Sequence, residues 1–116
     1  MNILRLLLSA PTACPASFFF LITVCLSHLA VAQTLPTVLI TGSSRGIGLE
    51  LTRQYAEKGW KVIATCRTPG RAGSLNALVE EYSNIRIEKL DVTEHNEIET
   101  LAEKYEDVAI DVLINN

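Results

Sequence analysis

After its first third, the chain alternates between two hydrophobic periods. Val38-Leu39-Ile40 is a short, wholly apolar run, the pattern of a strand buried on both faces. Ile47, Leu51 and Tyr55 then recur at four-residue spacing, which predicts a helix ended by Gly59. Val62 to Thr65 is rich in β-branched residues and reads as a second strand. Pro69, Gly70 and Gly73 mark a loop, and Ser74 is placed to cap a helix carrying Leu75, Leu78, Val79 and Tyr82. Ile85, Ile87 and the following Leu90 predict a third strand. Thr93 is placed to cap a helix whose Ile98, Leu101, Ala102 and Tyr105 keep helical spacing, and Val108 to Ile114 reads as a fourth strand.

Strands and helices that alternate with short loops form right-handed crossovers and a parallel sheet. The expected architecture is α/β, the first half of a doubly wound parallel sheet of the Rossmann kind with strand order 3-2-1-4. Ligands of such sheets bind beyond the carboxyl ends of the strands, where the order reverses. Gly42, Cys66-Arg67, Asp91 and Asn115 all fall at strand ends of that kind.

Charge divides the chain. No Asp, Glu, Lys or Arg lies between Arg5 and Arg45, and every acidic residue is Glu50 or later. Residues 1–32 therefore read as a leader and residues 33–116 as the folded segment. A short positive end, the apolar body Phe18 to Leu26, and Ala30-Val31-Ala32 before Gln33 have the form of a secretory signal and its cleavage site. The expected location is secreted or periplasmic. An uncleaved membrane anchor and a mis-assigned start on a cytoplasmic protein are the alternatives, although Met1 is the only methionine. The remainder is moderately acidic with no basic patch, which argues against nucleic acid as a partner. Beyond the leader only Cys66 remains, so no internal disulfide is expected there.

Thr41-Gly42-Ser43-Ser44-Arg45-Gly46-Ile47-Gly48 joins the first strand to the first helix. Glycines allow a sharp turn and let a ligand approach the backbone without meeting a Cβ. The helix that follows points unpaired N–H groups and the positive end of its dipole at the same spot, which suits a phosphate. The end of the second strand bears on which nucleotide is read. NAD-binding sheets place an acid there to hold the ribose 2′-hydroxyl. Here no acid occurs between Glu57 and Glu80, and the strand ends in Cys66-Arg67. A guanidinium forms paired, charge-assisted bonds to a 2′-phosphate, and Arg45 adds a second positive charge, so NADP is expected over NAD. A surface-capping role for both arginines is the alternative. Cys66 reads as a small strand-end residue. His95 reads as solvated at a helix start, and Tyr55, Tyr82 and Tyr105 as packed on apolar faces. No metal-ligand cluster or nucleophilic triad is in view.

The stretch Val38 to Gly59, the pair Asp91-Val92, and Asp111-Val112-Leu113-Ile114-Asn115-Asn116 together resemble the short-chain dehydrogenase/reductase family. The resemblance covers Thr37 to Asn116, and is most similar to the C-factor and sniffer-type carbonyl reductases. It implies that the turn residues Thr41, Gly42, Ser44, Arg45, Gly46, Ile47 and Gly48 hold the cofactor, with Arg67, Asp91, Val92 and Asn115. Asp91 would accept from the adenine amine, its alternative being an acid at the start of the next helix. Asn115 and Asn116 are open between bonding neighbouring strands and lining the ribose pocket. The resemblance also implies an NADP-dependent oxidoreductase acting on a small carbonyl or alcohol. A non-catalytic nucleotide sensor of the C-factor kind is the alternative. The family's reacting Ser, Tyr-x-x-x-Lys and Asn come after the Asn-Asn pair. Gly59, Arg86 and Ala109 stand four residues after the three tyrosines, so no catalytic residue is assigned among the 116. Subunit contacts of a homo-oligomer would likewise come from later segments.

Overall fold

The computed structural model describes residues 33–116. The expected leader lies outside the described residues. Residues 34–116 form one unit, with four strands and three α-helices: β1 (Thr37–Ile40), α1 (Gly46–Glu57), β2 (Lys61–Cys66), a 3-10 turn (Pro69–Arg71), α2 (Gly73–Glu81), β3 (Ile85–Lys89), α3 (His95–Lys104) and β4 (Val112–Ile114). The sheet is parallel throughout, in the order β3-β2-β1-β4. This is the half of a doubly wound fold that the sequence predicts.

The apolar run of β1 is buried at every position because both faces are covered. Val38 and Ile40 pack with Val62, Ala64, Cys66 and Ile85 beneath α1 and α2, which contribute Ala56, Leu75 and Leu78. Leu39 and Ile63 point the other way and meet Leu90 and Leu101, with Tyr105 half-buried against them. Alternation along each strand thus feeds two cores. The second face is less covered: Val92, Ile98, Ile110 and Leu113 remain exposed along a groove of about 740 Å³.

Helix α1 stops as Gly59 predicts. Its backbone turns left-handed there (φ +78), Gly59 N donates to Ala56 O, and Trp60 N donates to Tyr55 O. These are the two bonds of a glycine-ended helix terminus.

Three boundaries differ from expectation. Ser74 is not a cap, because the 3-10 turn runs on through Ala72 and α2 begins at Gly73. Thr93 is not a cap either: its N–H and hydroxyl both donate to Asp91 Oδ1, and Glu94 takes the cap position. The fourth strand is only Val112–Ile114, since β1 begins at Thr37 and offers no partner further back. Asp111 closes that end, its N–H donating to Thr37 O and its Oδ2 accepting from Thr37 N.

Candidate functional site

The turn after β1 is fixed from three sides. Ser43 is fully buried, its hydroxyl donating to Ile40 O and its N–H donating to Thr65 O on β2. Thr41 is buried and clasps the end of β4: its N–H donates to Ile114 O, its hydroxyl to Asn115 Oδ1 at 3.0 Å, and Asn116 N donates to Thr41 Oγ1 at 2.9 Å. Asn116 Nδ2 in turn donates to Gly42 O.

The three glycines act differently. Gly42 needs its left-handed backbone (φ +65) and has no room for a side chain, since a Cβ would lie 2.9 Å from Asn116 O. Gly46 is required by conformation alone (φ +61), with open space where a Cβ would stand. Gly48 is required by contact: a Cβ there would lie 2.8 Å from Asn116 Nδ2, and closer still to Gly42 O. The third glycine lets α1 rest directly on the turn that it follows.

Arg45 is the N-cap of α1, in an extended conformation and with no side-chain cap bond. Among the described residues no side chain caps the start of that helix, which borders a trough of about 470 Å³. Gly42, Ser44, Arg45 and Gly46 form one side of it, and Cys66-Arg67 and Leu90 to Thr93 the other. Of the sequence-assigned residues, the structure therefore brings together Gly42, Ser44, Arg45, Gly46, Arg67, Asp91 and Val92. Thr41 and Asn115 face the groove on the α3 side instead, and Asn116 takes the place at the trough. Gly48 is buried behind the turn, and Ile47 is 72% exposed beside it.

Asp91 is held by its neighbours. The Thr93 N–H, then the Thr93 hydroxyl, keep its carboxyl below the usual range, with smaller help from the Arg67 and Lys89 charges. Its own N–H donates to Glu97 Oε2 at 2.7 Å. Its Oδ2 makes no hydrogen bond among the described residues. Burial pushes the Cys66 thiol up, so it is a wall and not a nucleophile at neutral pH. His95 is exposed at the start of α3, and no metal-ligand cluster occurs among the described residues.

A second recess, of about 380 Å³, adjoins the trough and shares Ser44, Arg45 and Arg67 with it. Arg71 lines this recess, and among the described residues no acidic side chain does. No local pattern marks Arg71, because its position depends on the 3-10 turn.

The short chain dehydrogenase family model matches residues 36–116. The chain belongs to this family. An uncharacterized oxidoreductase of Schizosaccharomyces pombe is 38% identical over 86 residues, which is 72% of this chain and 27% of that protein. Among solved structures, a carbonyl reductase from Pseudomonas aeruginosa in complex with NADP superposes with a TM-score of 0.69 at 34% identity, over 72% of this chain and 36% of that one. Sniffer of Caenorhabditis elegans gives 0.63 at 33%, over 72% and 37%. The chain thus spans about a third of the length of these short-chain dehydrogenase relatives. The carbonyl reductase-like character read from the sequence agrees with both structural neighbours.

Proposed function

We propose that this chain is the NADP-binding part of an oxidoreductase that moves hydride between NADP(H) and a small carbonyl or alcohol. The observation that carries the reading is the wall of the trough. Arg45 and Arg67 stand there together, where an NAD site would present a carboxylate to the ribose. The residues fit a dinucleotide by their shape as well as their charge. Gly42 and Gly46 leave backbone open to a ligand, and the uncapped start of α1 offers N–H donors to a pyrophosphate.

In this reading Ser44, Arg45 and Gly46 hold the pyrophosphate, and Arg45 and Arg67 hold the 2′-phosphate. Asp91 accepts the adenine amine through Oδ2, and Val92 offers an apolar surface to the ring. Bound there, the cofactor supplies or accepts hydride. The NADP complex of the Pseudomonas carbonyl reductase supports the reading. Titration of the full chain with NADPH and NADH tests it. NADPH is expected to bind about tenfold tighter or better, the worth of one charge-assisted hydrogen bond. Equal affinities would overturn the NADP assignment.

For residues 1–32 the proposal is a secretory signal cleaved before Gln33, from its small-x-small site and uncharged body. Mass spectrometry of the mature amino terminus tests it. Material that retains Phe18 to Leu26 would overturn it.

A further inference from the structure

We propose that Glu97 is a positioning residue for adenine: its carboxylate holds the Asp91 backbone, and so sets the preference for an amino over an oxo purine. This rests on the reading of Asp91 as the acceptor of the adenine amine.

The need for such a residue arises at the edge of the sheet. β3 is an outer strand of the described sheet, paired with β2 alone. Its ladder ends where Leu90 N donates to Cys66 O. The next N–H, that of Asp91, has no strand to receive it among the described residues, the usual deficit of an edge. Glu97 Oε2 accepts from it at 2.7 Å. Glu97 stands at the third position of α3, counted from the Glu94 cap. An acid there ordinarily bonds back to the N–H of the cap residue. That N–H is already taken, since Glu94 N donates to Asp91 O. Glu97 instead reaches past the cap to Asp91. Thr93 fixes the Asp91 carboxylate relative to the loop, and Glu97 fixes the loop relative to α3.

Two carboxylates this close oppose each other, and Lys89 offsets the repulsion. Its ammonium donates to Glu97 Oε1, and its charge lowers both acids. Held first by Lys89 and then by the Asp91 N–H, the Glu97 carboxyl lies below its usual range and stays an acceptor at neutral pH. For a ligand the consequence is angular. A hydrogen bond weakens as it bends, so an oxygen that reads an amine must be held in direction. Adenine carries an amine donor where hypoxanthine carries a carbonyl acceptor. A fixed carboxylate favours the first and repels the second, whereas one free to turn away discriminates less.

The test compares dissociation constants of NADPH and its hypoxanthine analogue for the full chain and its Glu97→Asp and Glu97→Gln variants. Wild type is expected to favour NADPH about fivefold or more, the worth of one hydrogen bond. Glu97→Asp keeps a negative charge in the first turn of α3 but withdraws the acceptor by a methylene, so the preference should fall to about twofold or less. Glu97→Gln loses the pair with Lys89 but keeps an oxygen for the Asp91 N–H, so most of the preference should survive. If Glu97→Asp does not fold, Glu97→Ala takes its place with the same expectation. A Glu97 that serves folding alone would weaken both nucleotides together and leave their ratio at the wild-type value, which overturns this inference alone. So does a Glu97→Gln that loses the ratio. A wild type that binds both nucleotides equally overturns the adenine reading of Asp91, and this inference with it.

Discussion

Gly48→Ala is the sharpest perturbation of the turn, because two effects of opposite sign meet at one atom. Alanine is favoured over glycine inside a helix by about 1 kcal/mol. Against this, the new Cβ would stand 2.8 Å from Asn116 Nδ2 and 2.9 Å from the Gly42 carbonyl carbon, where ordinary contact begins near 3.4 Å. The nearest obstacle is the Gly42 carbonyl oxygen, closer than either, and it is backbone that accepts from Asn116 Nδ2, so α1 and the turn must part by roughly an ångström. Overpacking of that kind costs about 1–3 kcal/mol, and can outweigh the propensity gain. Thermal melts should fall by several degrees, at about 4–8 °C per kcal/mol for a domain of this size. NADPH affinity should fall further than stability, since the displaced backbone is the proposed pyrophosphate cradle. Gly46→Ala serves as the control. Nothing lies within 4 Å of a Cβ there, so its cost is the left-handed backbone alone, about 1–2 kcal/mol. Asparagine tolerates that backbone, so Gly46→Asn should recover part of the loss while Gly48→Asn is worse than Gly48→Ala. A Gly48→Ala variant that melts and binds like wild type, or asparagine better tolerated at position 48 than at 46, would refute the steric account of the turn.

Three further outcomes are expected. Arg67→Asp should reduce NADPH affinity by about one to two powers of ten with little change for NADH, by loss of a charge-assisted pair and gain of like charge; equal losses in both titrations would mean that Arg67 supports the fold. Thr65→Val should raise the melting temperature, because the Thr65 hydroxyl is buried without a partner among the described residues, a deficit worth about 1–3 kcal/mol; a lowered melt would contradict that. Acid should weaken the fold. Burial pushes the Glu88 carboxyl up, but hydrogen bonds from Lys104 and Tyr105 outweigh it, and Asp91 and Glu97 are also held low. Carboxyls lowered by folding give stability that is complete above the ordinary range near pH 4–4.5 and lost as pH falls through the folded values. Melts taken from pH 7 to pH 3 read this, and a flat profile would refute it.

What the sequence showed, and where it stopped, follows from the range of the forces involved. β1, α1 and Gly59 were legible because an apolar run, a four-residue period and a left-handed glycine are local signals. The strand order followed from connection rules that depend only on alternation. The fourth strand was read too long, because a strand exists only where it has a partner, and Val108 and Ile110 lie beyond the reach of β1. Ser74 and Thr93 are good caps by type, yet Ala72 and Glu94 occupy those positions. The winning interactions were a 3-10 turn running into α2 and the Asp91 carboxylate claiming Thr93. Most of the proposed site residues were legible by motif. That Asn116 lines the trough while Asn115 lines the neighbouring groove was not, because successive side chains of an extended chain point in opposite directions. Arg71 was missed since only the loop's conformation brings it near Arg67.

The glycine turn is built of backbone set against backbone, whereas the arginines beside it stand on exposed stems. Those two parts answer to different selective pressures. In the proposed reading, drift in the turn is penalised twice, once through folding and once through cofactor contact, so its sequence is narrowly confined. Arg45 and Arg67 are exposed and form no ion pair among the described residues, so in the proposed reading exchanging them alters recognition at little cost to the scaffold. On that reading a lineage can change its nucleotide by a few surface substitutions, each passing through a folded intermediate.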